Sequence, residues 1–176
     1  GGVAEMVTRV EIRDDHLGFE AIRMRFGRAG TSNLEARVSL GFHDQLVVQA
    51  HTTHFDLADA SPISTFKLAG VGGFEADVSG NYNDPHGTGA FNFSGFHFDA
   101  FDIGDLERGE VAFQGTDINF EHVKAKKGDS RYEVSGLHID LGRPLGAQLD
   151  MRAQSANMSL DDVYAIFGLT GDPRWE

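Results

Sequence analysis

The sequence predicts an all-β protein, made mainly of antiparallel strands with one short helix near its C-terminus. Residues 34–42 alternate apolar and polar side chains, and so do residues 22–26 and 74–78. Alternation with period two is typical of a strand that buries one face. Glycine occurs 22 times and proline only 4 times, which favours many strands joined by tight turns. We therefore expect roughly a dozen strands in a meander, spaced about 4.8 Å apart.

The helix is predicted over Leu160–Phe167. Ser159 can cap its first turn, with Asp162 three residues further on, and the apolar side chains that follow recur at helical spacing. Gly168 would end the helix. A second, shorter helical turn is expected at Asp56–Ala60.

Composition excludes several classes of function. The chain of 176 residues has 15 Lys and Arg against 27 Asp and Glu, a formal net charge of −12, and no basic stripe that could neutralise phosphates. Nucleic acid is therefore not an expected partner.

Cysteine is absent, which excludes disulfides and thiolate chemistry. No apolar run is long enough for a membrane-spanning helix. Residues 172–176 do not look like a natural end, so we interpret the chain as a fragment whose signal or anchor would lie outside it.

The sequence repeats itself at two scales. Residues 91–98 and 132–139 share a strand pattern with a central Ser-Gly, and a bulge at each glycine would keep the flanking apolar side chains on one face. A larger relation links residues 50–60 to residues 153–163, about a hundred residues later. We interpret residues 1–176 as one β-rich segment of a longer, repeat-built protein.

No motif predicts catalysis, a metal site or a cofactor. His51 and His54 lie three residues apart, so on a strand their imidazoles point to opposite faces. His97 and His138 are expected on the polar face. Residues 81–87 carry oxygens that suit calcium, but their pattern is that of an ordinary turn. Residues 70–73 lack the third glycine and the following helix of a dinucleotide site. The chain is therefore not expected to be an enzyme.

The apolar face of the predicted strands is the feature left to explain. Seven phenylalanines occur between residues 91 and 120, against 3 Tyr and 1 Trp in the whole chain. An ordinary β-sandwich core is favoured by the pattern alone. A transmembrane barrel would need aromatic girdles, and Tyr and Trp are scarce here. The third architecture is a curved open sheet whose concave apolar face holds lipid chains.

Four segments carry a resemblance to a known family: Leu68–Pro85, Asp102–Leu106, Gly128–Gly136 and the helix start at Ser159–Asp162. Together they resemble the AsmA-like superfamily, and within it the TamB family, over residues 34–167. The resemblance implies a long β-taco, an open groove that is apolar inside. It also implies a periplasmic location, an inner-membrane anchor outside this fragment, and an outer-membrane barrel partner of the TamA type that contacts other regions. It implies no catalytic residues.

On this interpretation the chain is a segment of a protein for intermembrane lipid transport and outer-membrane assembly. Its groove would hold phospholipid acyl chains or the β-strands of client proteins. The alternative is a structural or adhesive β-sandwich module with a closed core. The predicted groove lining consists of Leu34, Ala36, Val38, Leu40, Phe74, Val78, Phe91, Phe93, Phe96, Phe98, Val111, Phe113, Ile118, Phe120, Val134, Leu137 and Ile139.

Overall fold

The computed structural model describes residues 4–27, 30–60, 67–98, 100–140 and 148–169. Strands form 77% of these residues and join into one antiparallel sheet that does not close on itself. The strands are β1 (Glu5–Ile12), β2 (His16–Phe26), β3 (Ser32–Gly41), β4 (Gln45–Asp56), β5 (Leu68–Asn81), β6 (Asp84–Phe98), β7 (Phe101–Gln114), β8 (Asp117–Lys127), β9 (Ser130–Asp140) and β10 (Gln148–Asn157). The prediction of an all-β, antiparallel open sheet is confirmed.

Strand order in the sheet follows the order in the chain, from β1 to β10. The described residues form ten strands and not the expected dozen, because single strands are long. Strands β5, β6 and β7 contain 14, 15 and 14 residues, against an average of about 5–6. Nine spacings of about 4.8 Å make the sheet about 43 Å wide.

The molecule has one layer over most of its area. Its solvent-accessible surface is 11663 Å², whereas a compact folded chain of this size exposes about 8400 Å². The described residues contain no second sheet to cover the apolar side of the first, which contributes to this excess. Burial is therefore incomplete wherever no helix covers that side.

Two short helices lie at the same end of the sheet. They are α1 (Leu57–Ala60), which follows β4, and α2 (Leu160–Ile166), which follows β10. The predicted caps of α2 are present: the Ser159 side chain accepts a hydrogen bond from the Asp162 N–H, and Gly168 follows with a φ of 65°. We call this the helix end. The opposite end, where the turns 13–15, 42–44, 82–83 and 115–116 lie, is the hairpin end.

The buried apolar residues form one cluster in the half of the sheet nearest the helix end. Ile166 of α2 packs into this cluster, and Leu57 of α1 packs against it. We call it the core cluster; it consists of Phe93, Leu106, Val123, Ala125, Tyr132, Val134 and Ile166. The core is therefore local and does not extend along the whole sheet.

Strand irregularities occur at both predicted Ser-Gly positions. The pairing of β6 with β5 and β7 shifts register around Gly95, and that of β9 with β10 shifts around Gly136. Both glycines have positive φ, 61° and 66°. The shift keeps Phe93 and Phe96 on one face, with ring centroids 6.5 Å apart. The predicted bulges are therefore present, and they preserve the continuity of the apolar face.

Candidate functional site: the open apolar face

One side of the sheet carries apolar residues in rows that run from strand to strand. The longest row occupies one register position on all ten strands, and its direct pairs place Val38 beside Val48 and Val48 beside Val78. The row consists of Val10, Phe19, Val38, Val48, Val78, Gly87, Phe113, Ile118, Ile139 and Leu149. We call the side that carries this row the apolar face.

The predicted lining residues differ in burial. Two of them, Phe93 and Val134, are buried in the core cluster. The side chain of Ile139 lies outside the described residues, although its backbone pairs with Ile118. The other predicted residues are half-buried: Leu34, Ala36, Val38, Leu40, Phe74, Val78, Phe91, Phe96, Phe98, Val111, Phe113, Ile118, Phe120 and Leu137.

Aromatic rings cover the middle of the apolar face. The ring centroids of Phe55 and Phe74 lie 5.5 Å apart, and those of Phe91 and Phe120 lie 5.9 Å apart, both pairs edge to face. Glycine on the neighbouring strand makes room for such rings. A Cβ atom added to Gly109 would lie 2.2 Å from the Phe91 ring. The Phe-Gly pairs thus let aromatic side chains lie flat over the next strand.

Edge strand β1 extends the apolar face beyond the predicted lining. Met6, Val10 and Ile12 pair with Met24, Phe19 and Leu17 of β2, yet they are 61%, 52% and 77% exposed. The alternation that identified the other strands is present in β1, but it is interrupted by a bulge between Val7 and Arg9. Because of that interruption, the sequence pattern alone did not identify these residues.

Two hydrogen-bonded clasps hold the helices at the helix end. The Ser130 hydroxyl donates to Asp162 Oδ2 at 2.5 Å and accepts from the Ser159 N–H at 2.9 Å. The Ser32 hydroxyl likewise donates to Asp59 Oδ2 at 2.7 Å and accepts from the Asp56 N–H at 3.0 Å. Both serines are almost fully buried at the start of a strand. Each clasp therefore joins a helix to the first residue of a strand that is distant in sequence.

The hydrogen bonds of the α2 clasp favour the ionised form of Asp162. Hydrogen bonds from Ser130 and then Ser159 lower the pKa of the Asp162 carboxyl below its ordinary value of 3.8. These bonds stabilise the charged form more than the neutral form. The clasp is therefore strongest when Asp162 is ionised.

Tyr132 anchors the core cluster through its hydroxyl, which donates to the Ile103 carbonyl at 2.5 Å. Burial, together with the nearby charge of Asp102, raises the pKa of Tyr132 to about 12. Asp102 itself forms an ion pair with Lys127. These contacts give the polar atoms at the edge of the cluster a partner, which lets the tyrosine ring be buried.

The opposite side of the sheet is polar and charged. Arg37 Nε lies 2.5 Å from Glu20 Oε2, and Gln49 Nε2 donates to Asp77 Oδ1 at 3.0 Å. Two shallow depressions, of about 430 and 390 Å³, lie on this polar face and both include Glu75 and Asp77 in their lining. A strongly twisted sheet is saddle-shaped, so either face can be concave in one direction. The depressions do not lie on the apolar face, which was the face expected to be concave.

The remaining motifs named in the sequence analysis lie in ordinary strands and turns. His51 and His54 are both exposed on β4, and His97 and His138 contact Asp102 and Asp117 respectively. Residues 82–83 form the turn between β5 and β6. No group of three or more potential metal ligands occurs among the residues that the structure describes. Within the same residues, no helix is long and apolar enough to cross a membrane.

Comparison with known proteins adds no further assignment. No family profile, curated protein or solved structure matches this chain.

Proposed function

We propose that the open apolar face holds phospholipid acyl chains. The observation that carries the proposal is a row of apolar residues that crosses the sheet in register and that no second sheet covers among the described residues. Soluble proteins rarely leave a continuous apolar surface uncovered unless it binds something. An acyl chain needs only continuous apolar contact, and each buried CH₂ group contributes about 0.8 kcal/mol.

The dimensions of the row suit this ligand. From Val10 on β1 to Ile118 on β8 the row crosses seven strand spacings, a distance of about 34 Å. One leaflet of a bilayer core is about 15 Å thick, so an acyl chain fits along the row with room to move. The helix end is already filled by Ile166 and the core cluster. We therefore assign the lipid to the hairpin half, around Val48, Val78 and Phe113.

Photo-crosslinking tests this assignment. A benzophenone amino acid placed at Phe113 in the purified chain should capture radiolabelled phospholipid added as a dispersion. The matched control is the same group at Gln114, the neighbour of Phe113, which is exposed in a polar row beside His86 and Asp117. Equal capture at Gln114 and Phe113, or capture at Gln114 alone, would contradict the proposal.

Native mass spectrometry separates lipid binding from the structural or adhesive alternative. A lipid-binding chain should co-purify with phospholipid, lose it on delipidation and regain it when phospholipid is added back. A structural or adhesive module should carry no lipid at any stage. The two depressions on the polar face, with their mixed charges, favour that second function.

The wider setting follows from the sequence resemblance to the AsmA-like superfamily and the TamB family. On that basis we propose a periplasmic location, with an inner-membrane anchor in another segment. An outer-membrane barrel of the TamA type would be contacted by other regions of the protein. The apolar face would then form one stretch of a lipid path between the two membranes. Client β-strands would use the same surface in outer-membrane protein assembly.

A further inference from the structure

Helix α2 lies across the strands at the helix end and covers part of the apolar face. Its first turn is fastened to the start of β9, where the Ser130 hydroxyl contacts both the Asp162 carboxylate and the Ser159 N–H. Its other end reaches the start of β7, where the rings of Phe101 and Phe167 meet edge to face with their centroids 6.0 Å apart. The helix therefore spans the sheet from β9 to β7, and we call it the strap.

The surface under the strap is a second apolar row of the same kind as the open one. It crosses β6 to β9 through direct pairs and consists of Phe93, Leu106, Ala125 and Tyr132. All four residues are at most 8% exposed, and Ile166 of the strap packs against them in the core cluster. The covered row and the open row thus share their register and their apolar character, and they differ in the helix that lies over one of them.

The covered row is continuous with the open part of the apolar face. The ring centroid of Phe91 lies 5.9 Å from that of Phe120 and 6.2 Å from that of Phe93. Phe91 and Phe120 are half-buried and pack against the core cluster, to which Phe93 belongs. An acyl chain on the open part of the face can therefore reach the core cluster by contact with aromatic rings.

Few contacts hold the strap on this surface. Among the described residues of α2, Ile166 is the one buried side chain, whereas Leu160 is 66% exposed. The helix has seven residues, and an isolated helix shorter than about 12–15 residues is marginal in water. The strap is therefore held by its clasp, by the ring contact at its far end and by one buried isoleucine.

We propose that the strap is displaceable: an acyl chain that extends from the hairpin half takes the place of Ile166 over the row from Phe93 to Tyr132. This inference rests on the proposed function, because it assigns a means of regulation to the same lipid-binding face. A ligand favours the state in which it makes more favourable contacts. An acyl chain buries more CH₂ groups once the covered row is open to it. Lipid is then confined to the hairpin half while the strap is in place and reaches the helix end when the strap is displaced.

A reversible disulfide tests the strap. The chain contains no cysteine, so Ser130→Cys together with Asp162→Cys provides a single pair, at positions whose side chains are in hydrogen-bond contact. A benzophenone amino acid is placed either at Phe96, which packs against the core cluster, or at Phe113 in the hairpin half. The readout is the ratio of radiolabelled phospholipid captured at Phe96 to that captured at Phe113. Oxidation should lower this ratio about fivefold, because a locked strap leaves the displaced state unpopulated, and reduction should restore it.

A second pair of variants needs no disulfide. Ile166→Ala removes the buried side chain of the strap and should raise the same ratio about fivefold, since truncation of a buried isoleucine strongly weakens its packing. Leu160→Ala is the matched control on the same helix, because Leu160 is exposed, and it should leave the ratio unchanged. For the disulfide, the control is the chain without cysteine, in which the same oxidant should change capture at neither position.

The outcomes separate the strap from the proposed function. A ratio that falls on oxidation and rises in Ile166→Ala supports the inference. Capture at Phe113 with the same ratio in the oxidised and reduced proteins would overturn the strap and leave the lipid site in place. Equal ratios in Ile166→Ala and Leu160→Ala would also overturn it. No capture at Phe113 in either redox state would contradict the proposed function, and the inference with it.

Discussion

The helix end and the hairpin end of this sheet are built from the same alternating strands but differ in burial. Near the helix end, Ile166 packs over the sheet and side chains such as Phe93 fall to 8% exposure. Near the hairpin end, Val48, Val78 and Phe113 stay half-buried. There the turns are joined by hydrogen bonds, such as the one from the Tyr82 hydroxyl to the Gly41 carbonyl at 2.8 Å. A single-layer sheet can thus be ordered at both ends while only one end has a closed core.

The largest difference in stability between the two ends is expected when a charged residue is placed at each of them. Phe93→Asp would bury an unpaired carboxylate in the core cluster, at a cost of several kcal/mol against a total stability of about 5–15 kcal/mol. Phe113→Asp should lower stability by clearly less than Phe93→Asp, because water reaches that face and the new carboxylate stays solvated. Thermal unfolding followed by circular dichroism measures both. Phe113→Asp should also abolish lipid crosslinking beyond position 113.

The relative thermal stability of the two variants tests this prediction. If Phe113→Asp unfolds the protein as readily as Phe93→Asp, the hairpin half has a closed core and the difference between the two ends disappears. Phe113→Leu serves as the control for loss of the ring, since it keeps the site apolar while it removes the aromatic contact with the Gly87 position.

An intermediate effect is expected when the clasp of α2 is removed. Ser130→Ala leaves the Ser159 N–H and the Asp162 carboxylate without the buried hydroxyl that joins them, so the free energy of unfolding should fall, by less than in Phe93→Asp. Release of α2 should uncover Phe93 and increase binding of an environment-sensitive apolar dye. Ser135→Ala on the same strand is the control, because Ser135 is exposed and its loss should change neither stability nor dye binding. Unchanged dye binding in Ser130→Ala would show that α2 does not depend on the clasp.

The smallest effect is expected from acid. The folded pKa of Asp162 lies below its ordinary value of 3.8, so its contribution to stability is complete above that value. The contribution is lost as the pH falls through the folded pKa. Chemical unfolding between pH 2 and 6 should therefore show a loss of stability at the acid end, and this loss should be smaller in Asp162→Asn. An identical dependence of stability on pH in both proteins would show that Asp162 does not contribute to the loss of stability in acid.

The elements of the fold are largely readable from the sequence because they depend on local patterns. Period two identifies a strand and its apolar face, as at Val38, and a serine followed by an acidic residue identifies the start of α2 at Ser159. The location of the closed core is not readable in this way. Alternation assigns Phe93 and Phe113 to the same face, but only the path of α2 decides which of the two is covered.

The clasps show a second limit of local patterns. Ser130 contacts Asp162 across 32 residues, and Ser32 contacts Asp59 across 27. Each depends on a strand turn that brings the serine beneath a later helix, so no short motif signals it. Comparison of residues 57–59 with residues 160–162, which share a leucine two positions before the aspartate, is the one signal that could have directed attention to these carboxylates.

The strand order, with each strand beside its neighbours in the chain, has a consequence for how the molecule folds. Each strand closes only a short loop to reach the one before it, so the entropy cost of each pairing step is small and similar. The free energy then approaches a sum of terms between neighbouring strands, as in repeat proteins. Folding can start at any hairpin and grow in both directions, and the pairs nearest β1 and β10 can open while β6 and β7 stay intact.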